Sequence, residues 1–435
     1  MKTFQYILFF LVALVMISCQ KENKRNTIIN PNDYNSFLMT KETKALDFAN
    51  YEIDFWQNKF DKTPNQITYL NKIASNYNSL FEITGNIDNL YKAEKLLVQS
   101  NEAFKYTNVG TIRSLARNYI MQHRFKEALE LANKALTIGE GKEETRKLLF
   151  DVQMELGNYE TAEEQLIALN HSKNFKDFDF LIRLAKWNDH LGDLETAITM
   201  MEKAVKAAEF NDDKILMVWA YSNLGDMYGH AGKIKEAYSH YLRALQINPE
   251  HSYSLKGIAW IVFSHEKNTK EADRIINIIS KKHNSPDFYL MKSEIAEYEN
   301  NYKLKSKNIS AYFNMLKENK YGAMYNKYNV LIFADEKITA QKALEIAKIE
   351  VNHRPTPDSY DLLAWSYYNL GDYKKALEIA QKHVAGKSFE PELNYHLAMI
   401  YKANKMNELI EPIKKDLLAS TFELGPSYKQ KIGKL

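Results

Sequence analysis

The chain has 435 residues, a formal net charge of +3, 26% charged residues and 45% hydrophobic ones. Acidic and basic residues are interleaved throughout, which excludes a dedicated nucleic-acid face, and the length is far above what one compact helical core needs. With 15 Gly, 9 Pro and a single Cys, long loops, an all-β fold and an intrachain disulfide are excluded as well.

The first predicted element is a leader. Met1 to Ser18 reads MKTFQYILFFLVALVMIS, with one Lys before an apolar run from Tyr6 to Ile17. That run is too short for a comfortable transmembrane helix and has the layout of a secretory signal, assigned to residues 1–18. Met16-Ile17-Ser18-Cys19 resembles a bacterial lipobox, with Met where Leu is usual. The resemblance implies lipidation of Cys19 and a membrane anchor at the N-terminus. Gln20 follows, not Asp, so by resemblance to envelope lipoproteins there is no inner-membrane retention signal. The implied location is the cell envelope, at the outer membrane, with the periplasmic or surface side left open. Low Ala and Gly with high Asn, Lys, Ile and Tyr point to a Bacteroidetes-like source. Residues 19–40 are polar and charged at the start (QKENKRNTIINPND) and read as a flexible tether.

Residues 41–73 are predicted to form N-terminal capping helices. Leu46, Phe48, Ile53, Phe55 and Trp56 recur at helical spacing, and Thr63-Pro64 marks a break. Such a helix covers the open apolar face of a first repeat. Its Phe55-Trp56 pair is an alternative anchor for a partner.

From residue 74 to 424 the chain repeats. Ala93, Ala128, Ala162, Ala197, Ala237, Ala272, Ala343 and Ala376 form a ladder with one stretched step before Ala237 and one double step before Ala343. The regular steps are about 34 residues long, and a fixed period of this size means a solenoid. One copy, Trp219 to His251, shows the pattern in full: Tyr221, Leu224, Gly225, Tyr228, Ala237, Tyr241, Ala244 and Pro249. A second runs from Ser359 to Gln381. Both resemble the tetratricopeptide repeat at its signature positions. The implied fold is all-α, a right-handed α-solenoid superhelix of about ten helix hairpins. Gly157, Gly192, Gly232 and Gly371 are predicted to end the first helix of their hairpins in a left-handed conformation. Small residues are expected to let the paired helices approach, Gly225 facing Ala237 and Ala364 facing Ala376.

The repeat rule relaxes twice. The stretched step from Ala197 to Ala237 carries extra residues around Ala208 to Lys214, read as lengthened helices around an Asn-Asp-Asp turn or as a protruding loop. One rung, near Lys305, is degenerate. Past Gly425-Pro426, residues 425–435 read as a short basic tail.

No catalytic constellation is present. The 11 His include no pair at i+3 or i+4 spacing, and His265-Glu266-Lys267-Asn268-Thr269 lacks the second His of a zinc-protease helix. Gly229-His230-Ala231-Gly232-Lys233 is a repeat turn and not a phosphate loop. The expectation is a non-enzyme without cofactor or metal.

In tetratricopeptide solenoids the first helix of each hairpin lines the concave surface, which the resemblance carries onto specific residues here. Arg113, Arg117, Lys147 and Lys186 are expected to form a basic ridge. Trp219, Trp260, Trp365, Tyr368 and Tyr395 are expected to form an aromatic set, with Asp226 among them. Asp189, His230, Glu294, Glu297 and Lys402 fall at the same register. No repeat has Asn at the position a carboxylate clamp needs. The functional expectation is a scaffold or adaptor that binds a partner protein or peptide in this groove, without nucleic acid. The alternative is a nutrient- or glycan-binding outer-membrane lipoprotein resembling the SusD-like binders, which the lack of long insertions disfavours.

Overall fold

The computed structural model of the protein describes residues 27–41, 43–170, 177–317 and 320–435. The signal segment 1–18 and Cys19 lie outside the described residues. Among the described residues there are 24 α-helices and no strand.

Two helices precede the repeats: α1 (Pro31–Leu38) and α2 (Lys44–Lys62). Ten antiparallel pairs follow, each with a first (A) and a second (B) helix. The first five are α3 (Thr68–Thr84) with α4 (Asp88–Ala103), α5 (Val109–Met121) with α6 (Phe125–Ile138), α7 (Lys142–Glu155) with α8 (Tyr159–Asn170), α9 (Phe178–His190) with α10 (Leu194–Phe210), and α11 (Lys214–His230) with α12 (Ile234–Ile247). The next five are α13 (Ser252–Trp260) with α14 (Thr269–Ile279), α15 (Asp287–Tyr298) with α16 (Tyr302–Leu316), α17 (Asn326–Ala334) with α18 (Ala340–His353), α19 (Pro357–Asn369) with α20 (Tyr373–His383), and α21 (Pro391–Ala403) with α22 (Ile410–Ala419). Two short helices, α23 (Thr421–Leu424) and α24 (Tyr428–Gly433), close the chain.

The alanine ladder is the seam of eight of the ten pairs. All eight ladder alanines are fully buried on B helices, where a methyl group is the largest side chain that lets the A helix pack closely. Asn108, Asp177, Asp193, Asp213, Asn268, Asn301, Thr356 and Asp372 cap their helices by accepting from an N–H of the first turn. The four predicted turn glycines have φ between 69° and 86°. At the degenerate rung, α16 has no ladder alanine and buries Asn308 and, one turn on, Tyr312, whose hydroxyl donates to Asn329 at 2.9 Å. The stretched step is accommodated by length: α10 and α11 have 17 residues each. Their junction leaves Phe210 91% and Ile215 82% exposed.

The solenoid closes on itself along its axis. Asn284 N–H donates to the Thr84 carbonyl at 2.6 Å, and a Cβ on Gly157 would stand 3.0 Å from the Pro355 carbonyl oxygen. Gly192 lies under the Phe389 ring, and Gly229 under the Phe422 ring. Each of these contacts joins one pair to the junction roughly six pairs further along, so that distance is one turn of the coil. Arg354 spans the same junction, pairing with Glu155 at 3.0 Å and Glu350 at 2.8 Å.

Both terminal readings need correction. The tether does not extend to residue 40. Asn30 caps α1, whose Tyr34 and Leu38 are buried against α12 and α14, on the B-helix side of the coil. Tyr34 donates to Glu271 at 2.6 Å, Ile29 N–H to Glu266 at 3.0 Å, and Arg274 to Asn35 at 2.6 Å. Burying Tyr34 and Leu38 contributes about 1.5–3 kcal/mol each to holding the docked segment, and the hydrogen bonds add to it. The chain then crosses to α2, which packs on α3 through Ala49, Ile53 and the Trp56–Tyr69 ring contact at 5.3 Å. The outer side of α2 leaves Phe48, Tyr51 and Phe55 exposed. At the other end, residues 425–435 are not a free tail: Gly425 and Pro426 are buried, and Ile432 is fully buried against Tyr395 and Leu417.

Candidate functional site

The A helices present one continuous face, and every predicted groove residue lies on an A helix. The structure distributes these residues among distinct roles, and the predicted basic ridge is not an open one. Arg113 donates to the carbonyl of Gly141 at 3.0 Å and to Thr145 Oγ1 at 3.2 Å, tying down the start of α7. Lys147 is buried, with Glu144, Asp179 and Asp177 oxygens at 2.9, 3.0 and 3.3 Å. Burial alone would lower its pKa, but those carboxylates outweigh it and hold the ammonium well above its ordinary value. Lys186 pairs with Glu155 at 2.8 Å, and Arg183, which the register did not single out, pairs with Asp151 at 2.5 Å. The ridge is a ladder of ion pairs between neighbouring A helices. Arg117 is the exception. Its side chain is 52% exposed, and Glu144 is 4.0 Å away. Desolvation lowers its pKa, opposed by the charges of Glu144 and Asp151 and aided by those of Arg113 and Arg183.

The aromatic set is corrected too. Trp365 is buried, stacked between Tyr368 at 4.8 Å and His396 at 4.0 Å, and Tyr395 is buried beside Tyr428. Trp260 is half-buried and donates through Nε1 to the Phe422 carbonyl at 3.1 Å. Trp219, 41% exposed, and half-buried Trp260 and Tyr368 keep some surface toward water. Wide aromatic rings at A-helix positions fill the space between successive pairs, and burial of that area outweighs their display. Asp226 is held by two tyrosine hydroxyls, Tyr241 and Tyr253, each 2.5 Å away. Burial raises its carboxyl pKa against the pull of those bonds.

What reaches water on this face is largely ionisable. Asp189, His230, Glu294 and Glu390 are exposed, and nearby protein partly desolvates Asp189, Glu294 and Glu390. Loss of bulk solvation, followed by the charges of Glu392 and Glu297, pushes Glu294 up to about 7. The same loss, then Glu423 and Asp358, pushes Glu390 up to about 7. Among the described residues no group of His, Cys, Asp and Glu is arranged to hold a metal ion, and no helix is long and apolar enough to cross a membrane.

Several residues of this face escaped the sequence reading: Phe422, Gly425, Tyr428 and Lys431. Phe422 lies against Gly229, and its carbonyl accepts from both Trp260 and Ser264, the latter at 2.5 Å. These two donors sit around a π-helical turn, Ile261–His265, whose wider winding is a frequent mark of functional positions. Gly425, at φ 86°, abuts the Trp260 ring, and Lys431 pairs with Glu297 at 3.2 Å. The Lys402 ammonium donates to the carbonyl of Lys434. A signal was available. Leu424, Tyr428 and Ile432 fall at helical spacing, and only the net basic charge made the segment read as solvated.

Comparison with known proteins bears on the repeats. Residues 180–250 and 357–382 match models of the tetratricopeptide repeat, so the chain carries tetratricopeptide repeats in those stretches. No curated protein matches the sequence. The chain is similar to PilF of Pseudomonas aeruginosa, at 15% identity over 49% of this chain and 92% of that one, with a TM-score of 0.36. It is similar to PilW, a type IV pilus biogenesis factor, at 16% identity over 48% of this chain and 93% of that one, with a TM-score of 0.38. Human IFIT1, solved with PPP-AAAA, is 14% identical over 76% of each chain, with a TM-score of 0.45.

Proposed function

We propose that this protein is a non-catalytic scaffold of a bacterial cell envelope, lipid-anchored through Cys19, that holds a partner protein or peptide on its A-helix face. The observation that carries the reading is the face itself. It runs through ten helix pairs and carries water-reaching charges, Arg117, Asp189 and Glu294 among them, that the hydrophobic core does not use. The tetratricopeptide repeats support it, since such repeats serve protein–protein interaction.

Anchoring follows from the lipobox-like Met16-Ile17-Ser18-Cys19. Because α1 is docked, only the short stretch from Cys19 to Thr27 is left to span the gap, a reach of at most about 30 Å. An anchored chain would therefore carry its α12–α14 side close to the bilayer. The Cys19→Ser chain is expected to move from the membrane to the soluble fraction and to lose labelling by radioactive palmitate. Retention in membranes with undiminished labelling would refute the anchor.

Partner binding is tested at Arg117, the most exposed cation of the predicted ridge. After cross-linking and pull-down from solubilised membranes, the Arg117→Glu chain should recover the partner roughly tenfold less than the parent, with unchanged circular dichroism. Arg113 is unsuited to this test because it closes the loop before α7. Equal recovery would remove the basic end of the face from the binding surface.

A further inference from the structure

The chain from Thr421 onward lies on the face a partner is expected to use. We infer that the A-helix surface between α11 and α21 is a peptide-binding site occupied by the chain's own C-terminal segment. An external peptide then binds it in competition with that segment. The inference deepens the scaffold reading and rests on it for the existence of such a peptide.

Three observations support it. First, the segment is held as peptides are held. Its backbone carbonyl at Phe422 accepts from Trp260 Nε1–H and Ser264 Oγ–H, at 3.1 and 2.5 Å. The Phe422 ring covers Gly229, where a Cβ would stand 2.9 Å from the ring. Second, the polar contact is complementary in charge. Lys431 sits 3.2 Å from Glu297, whose other oxygen takes Lys305 at 2.8 Å. Burial alone would raise the Glu297 carboxyl, but these two ammonium groups outweigh it and lower it. Third, Trp260, Glu297, Tyr395 and Lys402 all fall at the register that the repeat pattern assigns to the binding surface, and the segment touches each of them.

The contacts define the competitor. It carries an aromatic side chain for the Gly229 surface and a free backbone carbonyl for Trp260 and Ser264. Toward its C-terminus it carries a Lys or Arg for Glu297, spaced from the aromatic residue as Lys431 is from Phe422. The built-in segment enjoys a high effective concentration, so it excludes weak ligands from the site.

The probe is a fluorescein-labelled peptide with the sequence of residues 420–435, STFELGPSYKQKIGKL. Its binding to the full chain is read by anisotropy. The Phe422→Ala/Lys431→Glu chain, with its segment loosened, should bind the peptide at least roughly tenfold more tightly than the parent. Limited proteolysis should show new cleavage after Ser420. Lys431→Glu alone, a change at a 39% exposed side chain, keeps the test readable should the double variant not fold, and should give a smaller gain in the same direction. A control peptide with Ala in place of Phe422 should not gain. Equal affinity for parent and variants, or no binding to any, overturns the proposal. Those results leave the Arg117 pull-down to judge the scaffold reading separately.

Discussion

A Gly257→Val chain should lose about 3 kcal/mol of stability, seen as a lower urea midpoint by circular dichroism with the slope unchanged. The reason is a single ring. Tyr241, on the B helix α12, lies across two A helices at once. A Cβ on Gly225 of α11 would stand 2.8 Å from it, and one on Gly257 of α13 would stand 2.5 Å away. Neither glycine has positive φ, so backbone freedom is not the cause. The glycines are there because the ring is. Tyr241 is 5% exposed and cannot swing into solvent without emptying its site. Its hydroxyl is also committed to Asp226 at 2.5 Å, so displacement leaves that half-buried carboxylate with Tyr253 as its remaining tyrosine donor. Shrinking the ring is the control. Tyr241→Leu should be harmful alone yet should reduce the cost of Gly257→Val, a coupling measurable in a double-mutant cycle. Strict additivity of the two changes would refute this account. The sequence expectation that Gly225 makes room for Ala237 is thereby refined: Ala237 is buried, but the atom nearest an added Cβ belongs to Tyr241.

The second large effect lies at the C-terminal end. Asp361 of α19 and His396 of α21 are both buried, with His396 Nδ1 2.8 Å from Asp361 Oδ2. The pair joins consecutive A helices beneath the Trp365 ring. Burial alone would lower the His396 pKa, but the Asp361 charge and hydrogen bond outweigh it and raise the net value. A raised folded pKa means that the pair's contribution is fully present below the unfolded value of about 6.5 and fades as pH rises through the folded one. Asp361→Asn removes the paired charge and leaves His396 buried, with only the more distant Glu392 favouring its ionisation, so that burial penalises the charged form. The variant should cost about 3–5 kcal/mol in acid. The cost should shrink as pH rises from 5.5 to 8.5, since the unpaired imidazole becomes neutral in both states. Urea midpoints of parent and variant across that range read the difference directly. A cost independent of pH would show that the pair is a neutral hydrogen bond.

Glu294 and Glu390 belong to the same physical situation. They reach water, yet the protein around them raises their pKa, so this face gains negative charge as pH passes 7. A competitor carrying Lys or Arg should accordingly find the face more attractive on the alkaline side of neutrality. That direction follows from the same accounting that governs His396.

How legible the molecule was depends on the distance over which each contact acts. The alanine ladder, the turn glycines and the caps act within one hairpin, so each repeat had to record them in its own sequence. That is why the all-α solenoid, the hairpin count and the degenerate rung near Lys305 could be read directly. The register of the A helices was also legible, because the period of an α-helix fixes which side chains leave the core. Whether those side chains face open water was not. Lys147 and Trp365 occupy surface register positions but meet Asp179 and His396 from the next A helix, one repeat further along the chain. The contacts between successive turns of the coil, from Thr84 to Asn284 and from Gly229 to Phe422, depend on small rotations accumulated over many pairs. No single repeat encodes that sum. By itself the sequence determined the repeat, its pairing of helices and the face that the core leaves over. Only the tertiary coil decided that α1 clasps its outer side and that the last residues cover that face, because both depend on where one turn of the coil meets the next.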